Sequence, residues 1–147
     1  MSMKTIKFLT VVMAMLALVG VALADDDKKP EVKPAAKLVT PAEAEKLIAA
    51  KKVVVLDVRT PEEYAAGHIA GATNVNFNGK DFQAKLEKLD KDQTYLVHCA
   101  VGMRSAKACK KMDELQFRNL YDLQGGLNAW KKAGLPVAKE PVKEPAK

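Results

Sequence analysis

The stretch LVHCAVGMRS, residues 96–105, places a cysteine after an apolar run, with a glycine, an arginine and a serine behind it. Successive backbone N–H groups in such a loop, together with the positive end of a following helix, form a cradle that binds anions. Gly102 allows a positive φ, Arg104 adds a permanent positive charge and Ser105 adds a hydroxyl donor. A cysteine in this cradle is stabilised as the thiolate, which is the nucleophilic form. The pattern therefore predicts that Cys99 is a reactive nucleophile.

Two other interpretations of Cys99 are weaker. A buried structural cysteine is common, but it does not require glycine, arginine and serine in register behind it. A metal site needs three or four nitrogen or sulfur ligands, whereas His68 and His98 are the only histidines in the sequence. Neighbouring strand residues point to opposite faces, so His98 and Cys99 are poorly placed to hold one ion. We predict no metal site and expect His98 to pack or to form a hydrogen bond.

The second cysteine of the chain, Cys109, is an unsuitable disulfide partner for Cys99. If a helix begins near Met103, Cys109 lies six residues along it, which is a rise of roughly 9 Å. That rise exceeds the limit of about 7 Å on the Cα separation of a disulfide. We predict that Cys109 is a small buried residue on the packed face of this helix, together with Ala106 and Met112.

The N-terminal residues have the pattern of a secretory signal peptide. Lys4 and Lys7 precede an apolar run at residues 8–21, and the run ends in small residues before an acidic cluster. This predicts a signal peptide at residues 1–24, cleaved after Ala24, and a periplasmic protein without membrane attachment after cleavage. The alternative is an uncleaved anchor, but anchors need about 20 apolar residues and the acidic cluster argues against one.

Composition and charge indicate one small domain with polar ends. The net charge of +6 falls to +4 when the two signal-peptide lysines are removed, and the other lysines are scattered without interleaved aromatic residues. This pattern does not suit nucleic-acid binding. Residues 25–36 and 138–147 are rich in Pro, Lys, acidic residues and Ala, which predicts a disordered linker and tail. The folded core is predicted at residues 37–137, and a monomer is the default expectation.

The elements that must position Cys99 alternate between strand and helix. Two Thr-Pro pairs, each followed by Glu at the third helical position, predict capped helix starts after Thr40 and Thr60. Further helices are predicted at residues 80–89, 105–115 and 127–133, and strands at residues 38–39, 53–58, 72–77, 94–98 and 119–123. This alternation predicts a parallel sheet with helices on both faces. Ligands bind beyond the carboxyl ends of the strands in such folds, and Cys99 follows one of those ends.

Three motifs in this order resemble the rhodanese domain family. The segment CAVGMRS is similar to the family's C-x-x-G-x-R-S loop, and LDVRTPEEYAAGHIAGATNV is similar to its D-x-R and E-[FY]-x-x-G-H-I-x-G-A-x-N segment. The segment GGLNAWKKAGLPV is similar to its closing G-G-x-x-x-W-x-x-x-G-x-P-V. The resemblance covers nearly all of residues 37–137. It implies a small, doubly wound α/β domain around a five-stranded parallel sheet.

The resemblance also implies sulfur transfer without a metal or organic cofactor. Cys99 would attack the outer sulfur of an anionic donor, thiosulfate or polysulfide, and carry it as a persulfide until cyanide or a thiol removes it. The thiolate and persulfide would be stabilised by the loop amides, and Arg104 would attract the donor. The loop residues concerned are Ala100, Val101, Gly102, Met103, Arg104 and Ser105.

Other positions matched by the resemblance are predicted to support the loop. Asp57 would contact the loop and brace it, and Arg59 is expected to pair with Glu63 across the start of a short helix. His68 is expected to form a structural hydrogen bond, and Trp130 is expected to lie in the core.

The loop itself departs from the family at Met103, where many rhodaneses carry lysine or arginine. Arg104 is therefore the only charge in the loop, which weakens the case for selecting a doubly charged donor. Cysteine phosphatases and arsenate reductases are rivals, but their H-C-x5-R loops are one residue longer than this one. A carrier that delivers persulfide sulfur to a partner protein and a non-catalytic interaction module are the remaining alternatives.

Overall fold

The structure is a computed structural model that describes residues 35–139. The predicted signal peptide lies outside the described residues, as do most of the predicted linker and tail. No helix within residues 35–139 is both long enough and apolar enough to cross a membrane.

Five strands alternate with five helices along the chain. The strands are β1 Lys37–Val39, β2 Val54–Asp57, β3 Thr73–Asn74, β4 Thr94–His98 and β5 Asn119–Leu123. The helices are α1 Pro41–Ala49, α2 Pro61–Ala66, α3 Phe82–Glu87, α4 Met103–Glu114 and α5 Gly126–Lys132. The sheet has the order β1-β5-β4-β2-β3, and every pairing is parallel. The predicted five-stranded parallel α/β fold is confirmed, with β4 at the centre.

Two capping boxes begin the first two helices. Thr40 accepts a hydrogen bond from the Glu43 amide while the Glu43 carboxylate accepts one from the Thr40 amide, and Thr60 and Glu63 repeat the arrangement. A proline occupies the first helical position in each case, where its missing N–H costs nothing. The second box starts α2 three residues after β2 ends. The cap therefore places Glu63 close to the carboxyl edge of the sheet.

The sheet separates two hydrophobic clusters. Along β4, Tyr95 and Val97 face the cluster that includes α3 and α4, whereas Leu96 faces the cluster that includes α1 and α5. All three side chains are buried because β4 is central and covered on both faces. Cys99 continues the Tyr95 and Val97 side, so its side chain lies on the α4 face of the sheet.

The structure corrects two details of the sequence interpretation, the length of the third strand and the buried face of α4. The predicted strand at residues 72–77 is regular only at Thr73–Asn74, although Val75 and Phe77 still donate backbone hydrogen bonds to β2 and the residue after it. Ala106 is exposed rather than packed. The buried face of α4 has the expected helical spacing but consists of Ser105, Ala108, Cys109 and Met112. Cys109 is buried, as predicted.

The far end of the domain extends one residue past the predicted boundary. Ala138 exchanges two backbone hydrogen bonds with His68, with N···O distances of 2.8 and 2.7 Å. The His68 ring donates a hydrogen bond from Nδ1 to Tyr64 O and stacks on the Tyr64 ring. Trp130 is buried, and its indole donates to Pro136 O. His68 and Trp130 therefore connect the segment after α5 to the rest of the fold.

The core should tolerate truncation much less than the edge strand does. Leu56 has no exposed surface, so Leu56→Ala removes buried methyl groups and should lower the free energy of unfolding by about 2–5 kcal/mol. Leu38 on β1 is 57% exposed, and Leu38→Ala should cost less than about 0.5 kcal/mol. Urea denaturation followed by circular dichroism measures both changes. Equal losses in the two variants would contradict the assignment of the core.

Candidate active site

The candidate nucleophile lies in the loop between β4 and α4. Cys99 has no exposed surface, and α4 begins only four residues later at Met103. Gly102 caps this helix with φ of 104°, a conformation in which a Cβ atom would be strained. The Gly102 N–H donates a hydrogen bond to Cys99 Sγ at 3.0 Å. The predicted cradle is therefore formed by the tight turn from the strand into the helix.

The surroundings of Cys99 favour its thiolate. Burial alone would raise the thiol pKa, because it removes water from the charged form. Hydrogen bonding from the backbone amides of Ser105, Gly102 and Val101 acts in the opposite direction. The net effect is a Cys99 pKa below its ordinary value. Cys109 differs, because burial with no such donors raises its pKa.

The N-terminus of α5 supports the back of this loop. The amides of Leu127 and Asn128 donate to the carbonyls of Cys99 and Ala100, with N···O distances of 2.8 and 3.0 Å. Gly126 permits the approach, because a Cβ atom on it would stand 2.5 Å from Cys99 O. From the sequence the glycine pair was predicted only as part of a motif, without this role. Two adjacent glycines before a helix were the available signal, since they indicate a close backbone approach.

Arg104 forms an ion pair with Glu63. Its two terminal nitrogens lie 2.8 and 2.9 Å from the two carboxylate oxygens of Glu63, which is a bidentate arrangement. The hydrogen bonds from Arg104 are the largest influence on Glu63 and lower its pKa from 4.5 to about 2. The pairing of Glu63 with Arg59 predicted from the sequence is therefore wrong. The capping box turns the Glu63 carboxylate toward the loop, whereas Arg59 points back into the fold.

A buried ion pair lies beneath the loop. Arg59 donates to both carboxylate oxygens of Asp57, with a shortest distance of 2.6 Å, and also to Gly67 O. Within residues 35–139, the Asp57 carboxylate hydrogen bonds go to Arg59 and not to the loop, which corrects the predicted direct brace. His98 is the link instead. Its Nε2 lies 3.7 Å from Asp57 Oδ2, and its Nδ1 lies 3.2 Å from Cys99 O.

The protonation of His98 follows from this environment. The residue is fully buried, and burial is the main cause of a lowered pKa, so the ring is neutral at physiological pH. Cys99 O can only accept a hydrogen bond, so the proton of the neutral ring is assigned to Nδ1. His98 thus packs and forms a hydrogen bond with the carbonyl of the cysteine that follows it.

Two further polar residues lie under the loop. Ser105 is buried and its hydroxyl donates to Gly102 O at 3.1 Å, which tightens the turn. Asp122 on β5 is buried, and burial raises the pKa of its carboxyl group. Sequence reasoning missed Asp122, because an acid in a strand gives no signal of its neighbours. In the described part of the chain, no three His, Cys, Asp or Glu side chains are grouped so as to hold a metal ion.

The contact between α5 and the loop can be tested through the thiol pKa. Gly126→Ala should push the carbonyls of Cys99 and Ala100 away and misalign the loop amides. We expect the apparent pKa of Cys99 to rise by about one unit, the equivalent of one weakened hydrogen bond to a charged group. The pH dependence of alkylation by iodoacetamide measures it. Gly134→Ala is the matched control, because Gly134 also has a positive φ but open space around it. An unchanged pKa in Gly126→Ala would contradict the supporting role of α5.

The Arg104–Glu63 pair should give a stability that depends on acid pH. The folded-state pKa of Glu63 is about 2 and its unperturbed value is 4.5, so the stabilisation is complete above pH 4.5 and is lost as pH falls toward 2. Glu63→Gln keeps a side chain that can complete the capping box. We expect it to be less stable than the wild type at pH 7 and to converge with it near pH 2. Denaturation at several pH values measures this, with Glu45→Gln on exposed α1 as the control. A constant difference across that range would contradict the pairing.

Comparisons with known proteins give matches over most of the described residues. A family model described as Rhodanese-like domain matches residues 40–133. The chain is 40% identical over 91 residues to "Putative sulfurtransferase YtwF" of Bacillus subtilis, covering 62% of this chain and 85% of that protein. It is 33% identical over 95 residues to thiosulfate sulfurtransferase GlpE of Coxiella burnetii, covering 65% of this chain and 87% of that protein.

Solved structures show the same fold. A rhodanese-related protein from Thermoplasma volcanium superposes with a TM-score of 0.65 at 35% identity, over 71% of this chain and 99% of that chain. A rhodanese-like domain protein from Staphylococcus aureus superposes with a TM-score of 0.62 at 28% identity, over the same shares of the two chains. The family match covers most of the described residues, and it agrees with the order of strands and helices and with the cysteine loop after the central strand. The chain belongs to the rhodanese-like domain family, and its relatives are named sulfurtransferases.

Proposed function

We propose that this protein transfers sulfane sulfur through a persulfide on Cys99, taking it from thiosulfate or polysulfide and passing it to cyanide or a thiol. The observation that carries the proposal is the hydrogen bond from the Gly102 amide to Cys99 Sγ, inside a loop whose other amides also lower the thiol pKa. Donors aimed at the sulfur stabilise a negative charge there both before and after the sulfur atom is added. The sulfurtransferase names of the relatives support the same chemistry.

The transfer takes two steps. The Cys99 thiolate attacks the outer sulfur of the donor, the sulfur–sulfur bond of the donor breaks, and its electron pair leaves with sulfite or with a shortened polysulfide. The charge then rests on the terminal sulfur of the persulfide, still within reach of the loop amides. In the second step cyanide or a thiolate attacks that terminal sulfur, and the electron pair returns to Cys99. The mechanism is a double displacement, for which ping-pong kinetics are the signature.

The size of the loop favours sulfur over phosphoryl transfer. Four residues separate Cys99 from Arg104, and the side chain of Arg104 is already turned to Glu63. A phosphoryl group has three equatorial oxygens that need donors in the transition state. A shorter ring whose only cation is engaged elsewhere offers fewer such donors. The cradle is better suited to a single sulfur atom.

Donor access requires a local movement. Cys99 has no exposed surface in the structure, so the outer sulfur of a donor reaches Sγ only after a side chain at the mouth of the loop shifts. The loop side chains with the freedom to do so are those at the surface, Val101 and Met103, together with the partly exposed Arg104. The backbone of the cradle can meanwhile keep its hydrogen bonds to α5.

Export to the periplasm is part of the proposal and is supported by the N-terminal sequence alone. The basic residues, apolar run and small-residue site at residues 1–24 are those of a cleaved signal. Expression in a Gram-negative host followed by fractionation and intact-mass measurement tests it. A periplasmic product that begins at Asp25 is expected, and a membrane-bound product of full length would contradict cleavage.

The persulfide can be detected by mass spectrometry. Exposure of the purified protein to thiosulfate or polysulfide should add the mass of one sulfur atom to Cys99, and addition of cyanide should remove it and release thiocyanate. Cys99→Ser should abolish both the mass gain and thiocyanate formation. Cys109→Ala is the matched control, because Cys109 is buried and its thiol pKa is raised, so this variant should retain both.

The outcomes separate the candidate functions. Sulfur loading on Cys99 without turnover to cyanide, combined with transfer to a partner protein, would favour a carrier. The same thiocyanate yield from wild type and Cys99→Ser would refute the enzymatic proposal.

A further inference from the structure

We infer that the sulfur donor of this protein is an organic sulfane compound with an apolar carrier group and at most one negative charge, in preference to the thiosulfate dianion. The inference rests on the proposed function and specifies its substrate class. It follows from two features of the surface around Cys99, one of them apolar and the other electrostatic.

The apolar feature is a pair of exposed side chains that flank the cradle. Val101 is 56% exposed and Met103 is 69% exposed, and both lie in the loop that holds Cys99. Only one other large hydrophobic residue within residues 35–139 is exposed to this degree, Leu38 on the edge strand β1. Single exposed apolar residues are ordinary, but two on one short loop form a concentrated apolar contact beside the reacting sulfur. They offer an incoming molecule dispersion contacts and no charge.

The electrostatic feature is that the one cation of the loop is already paired with a carboxylate. Arg104 is the only charged side chain in the loop, and both of its terminal nitrogens are hydrogen-bonded to Glu63. The pair is neutral as a unit, and the exposed Glu62, the residue before Glu63 on α2, adds a negative charge to that helix. Binding a dianion at the mouth would mean breaking a bidentate ion pair or approaching a carboxylate.

Several lysines of α4 and the segment before α3 line a different groove. Lys80, Lys107, Lys110 and Lys111 line a separate groove beside Phe77, and no residue of the loop at 99–105 lines that groove. Their charge lies beside α3 and the outer side of α4. The amides of the cradle therefore stabilise the single negative charge on the sulfur. The part of the donor that remains outside the cradle contacts Val101, Met103 and the neutral pair of Arg104 with Glu63.

The reacting atoms are the same for an organic donor as for thiosulfate. In a thiosulfonate, R–SO2–S⁻, the Cys99 thiolate attacks the terminal sulfur and the sulfur–sulfur bond breaks. The electron pair leaves with the sulfinate R–SO2⁻, and Cys99 carries the persulfide. The total charge is −2 before and after the step. Thiosulfate differs only in having a charged oxygen in place of R, so the two donors isolate the effect of one charge and one apolar group.

The experiment compares thiosulfate, methanethiosulfonate and benzenethiosulfonate as donors, with cyanide as the acceptor. Each kcat/KM is divided by the rate of the same donor with a small thiol in free solution, which removes intrinsic reactivity. We expect the corrected kcat/KM to rise from thiosulfate to methanethiosulfonate to benzenethiosulfonate. The total difference should be at least about tenfold, because the organic donors avoid one unfavourable charge contact of ordinary size.

Three variants test whether the named residues cause the preference. Met103→Lys restores a cation at the mouth and should shift the donor ratio about tenfold toward thiosulfate. Glu63→Gln frees the Arg104 guanidinium, keeps a capping side chain and should shift the ratio in the same direction. Leu38→Lys is the matched control, because it also replaces an exposed apolar residue with lysine. Leu38 lies on the edge strand β1, which β5 separates from β4 and its loop, so its ratio should not change.

The outcomes distinguish this inference from the proposed function. The inference is overturned, while sulfur transfer stands, if the corrected kcat/KM for thiosulfate equals or exceeds that for benzenethiosulfonate. It is also overturned if Met103→Lys and Glu63→Gln both change the donor ratio no more than Leu38→Lys does. If no donor loads Cys99 at all, measured as the mass of one added sulfur, the proposed function itself fails.

Discussion

The arrangement of the site depends on how the carbonyl groups of the Cys99 loop are satisfied. A loop that turns its N–H groups inward to a sulfur atom must turn carbonyls outward, and buried carbonyls need donors. The first amides of a helix have no partners within that helix, so the start of α5 can supply them. Leu127 and Asn128 donate to Cys99 and Ala100, and Gly126 allows the two backbones to approach. The chemistry at one helix start, that of α4, is therefore supported by the start of another.

The second constraint is electrostatic, and it originates in the segment from β2 to α2. Asp57 and Arg59 neutralise each other beneath the sheet edge, and Glu63 neutralises Arg104 at the mouth of the loop. The first pair fixes the β2 to α2 connection, with Arg59 also bonded to Gly67 O, and the second connects α2 to α4. The backbone amides and the dipole of α4 face the sulfur, and the paired Arg104 still interacts with Cys99. A cradle made from backbone can stabilise a sulfur anion without a free cationic side chain.

The buried polar groups show how tightly the site is integrated with the fold. His98 is neutral, contacts the carbonyl of Cys99 and lies beside Asp57, so it connects the lower ion pair to the loop. Ser105 occupies the buried face of α4 and holds the Gly102 carbonyl. Ser105 is covered on the α4 face of the sheet, whereas His98, like Leu96, faces the opposite side, and at both places water cannot replace a lost partner. The shape of the loop is thus determined by the packing of three elements around it.

The amino-acid sequence by itself determined the alternation of strands and helices, both capping boxes, the buried central strand and the position of Cys99 at its carboxyl end. These are local features: periodicity, cap residues and turn residues act over a few positions, so they can be read along the chain. Two predictions were wrong: the length of the third strand, and the buried face of α4, where Ala106 had been expected. Tertiary contacts select the final register of both elements.

Only the tertiary structure decided which side chains meet. Arg104 and Glu63 are 41 positions apart, and the cap that orients Glu63 lies on a different helix from the loop. Arg59 is nearer than Arg104 to Glu63 along the sequence, but it pairs with the buried Asp57 carboxylate instead. An unpaired buried charge at Asp57 would be costly. The contact of Gly126 with Cys99 likewise depends on the parallel pairing of β4 with β5. Spacing along the chain identified the nucleophile, but the charge and polarity of its entrance come from elements that only the fold brings together.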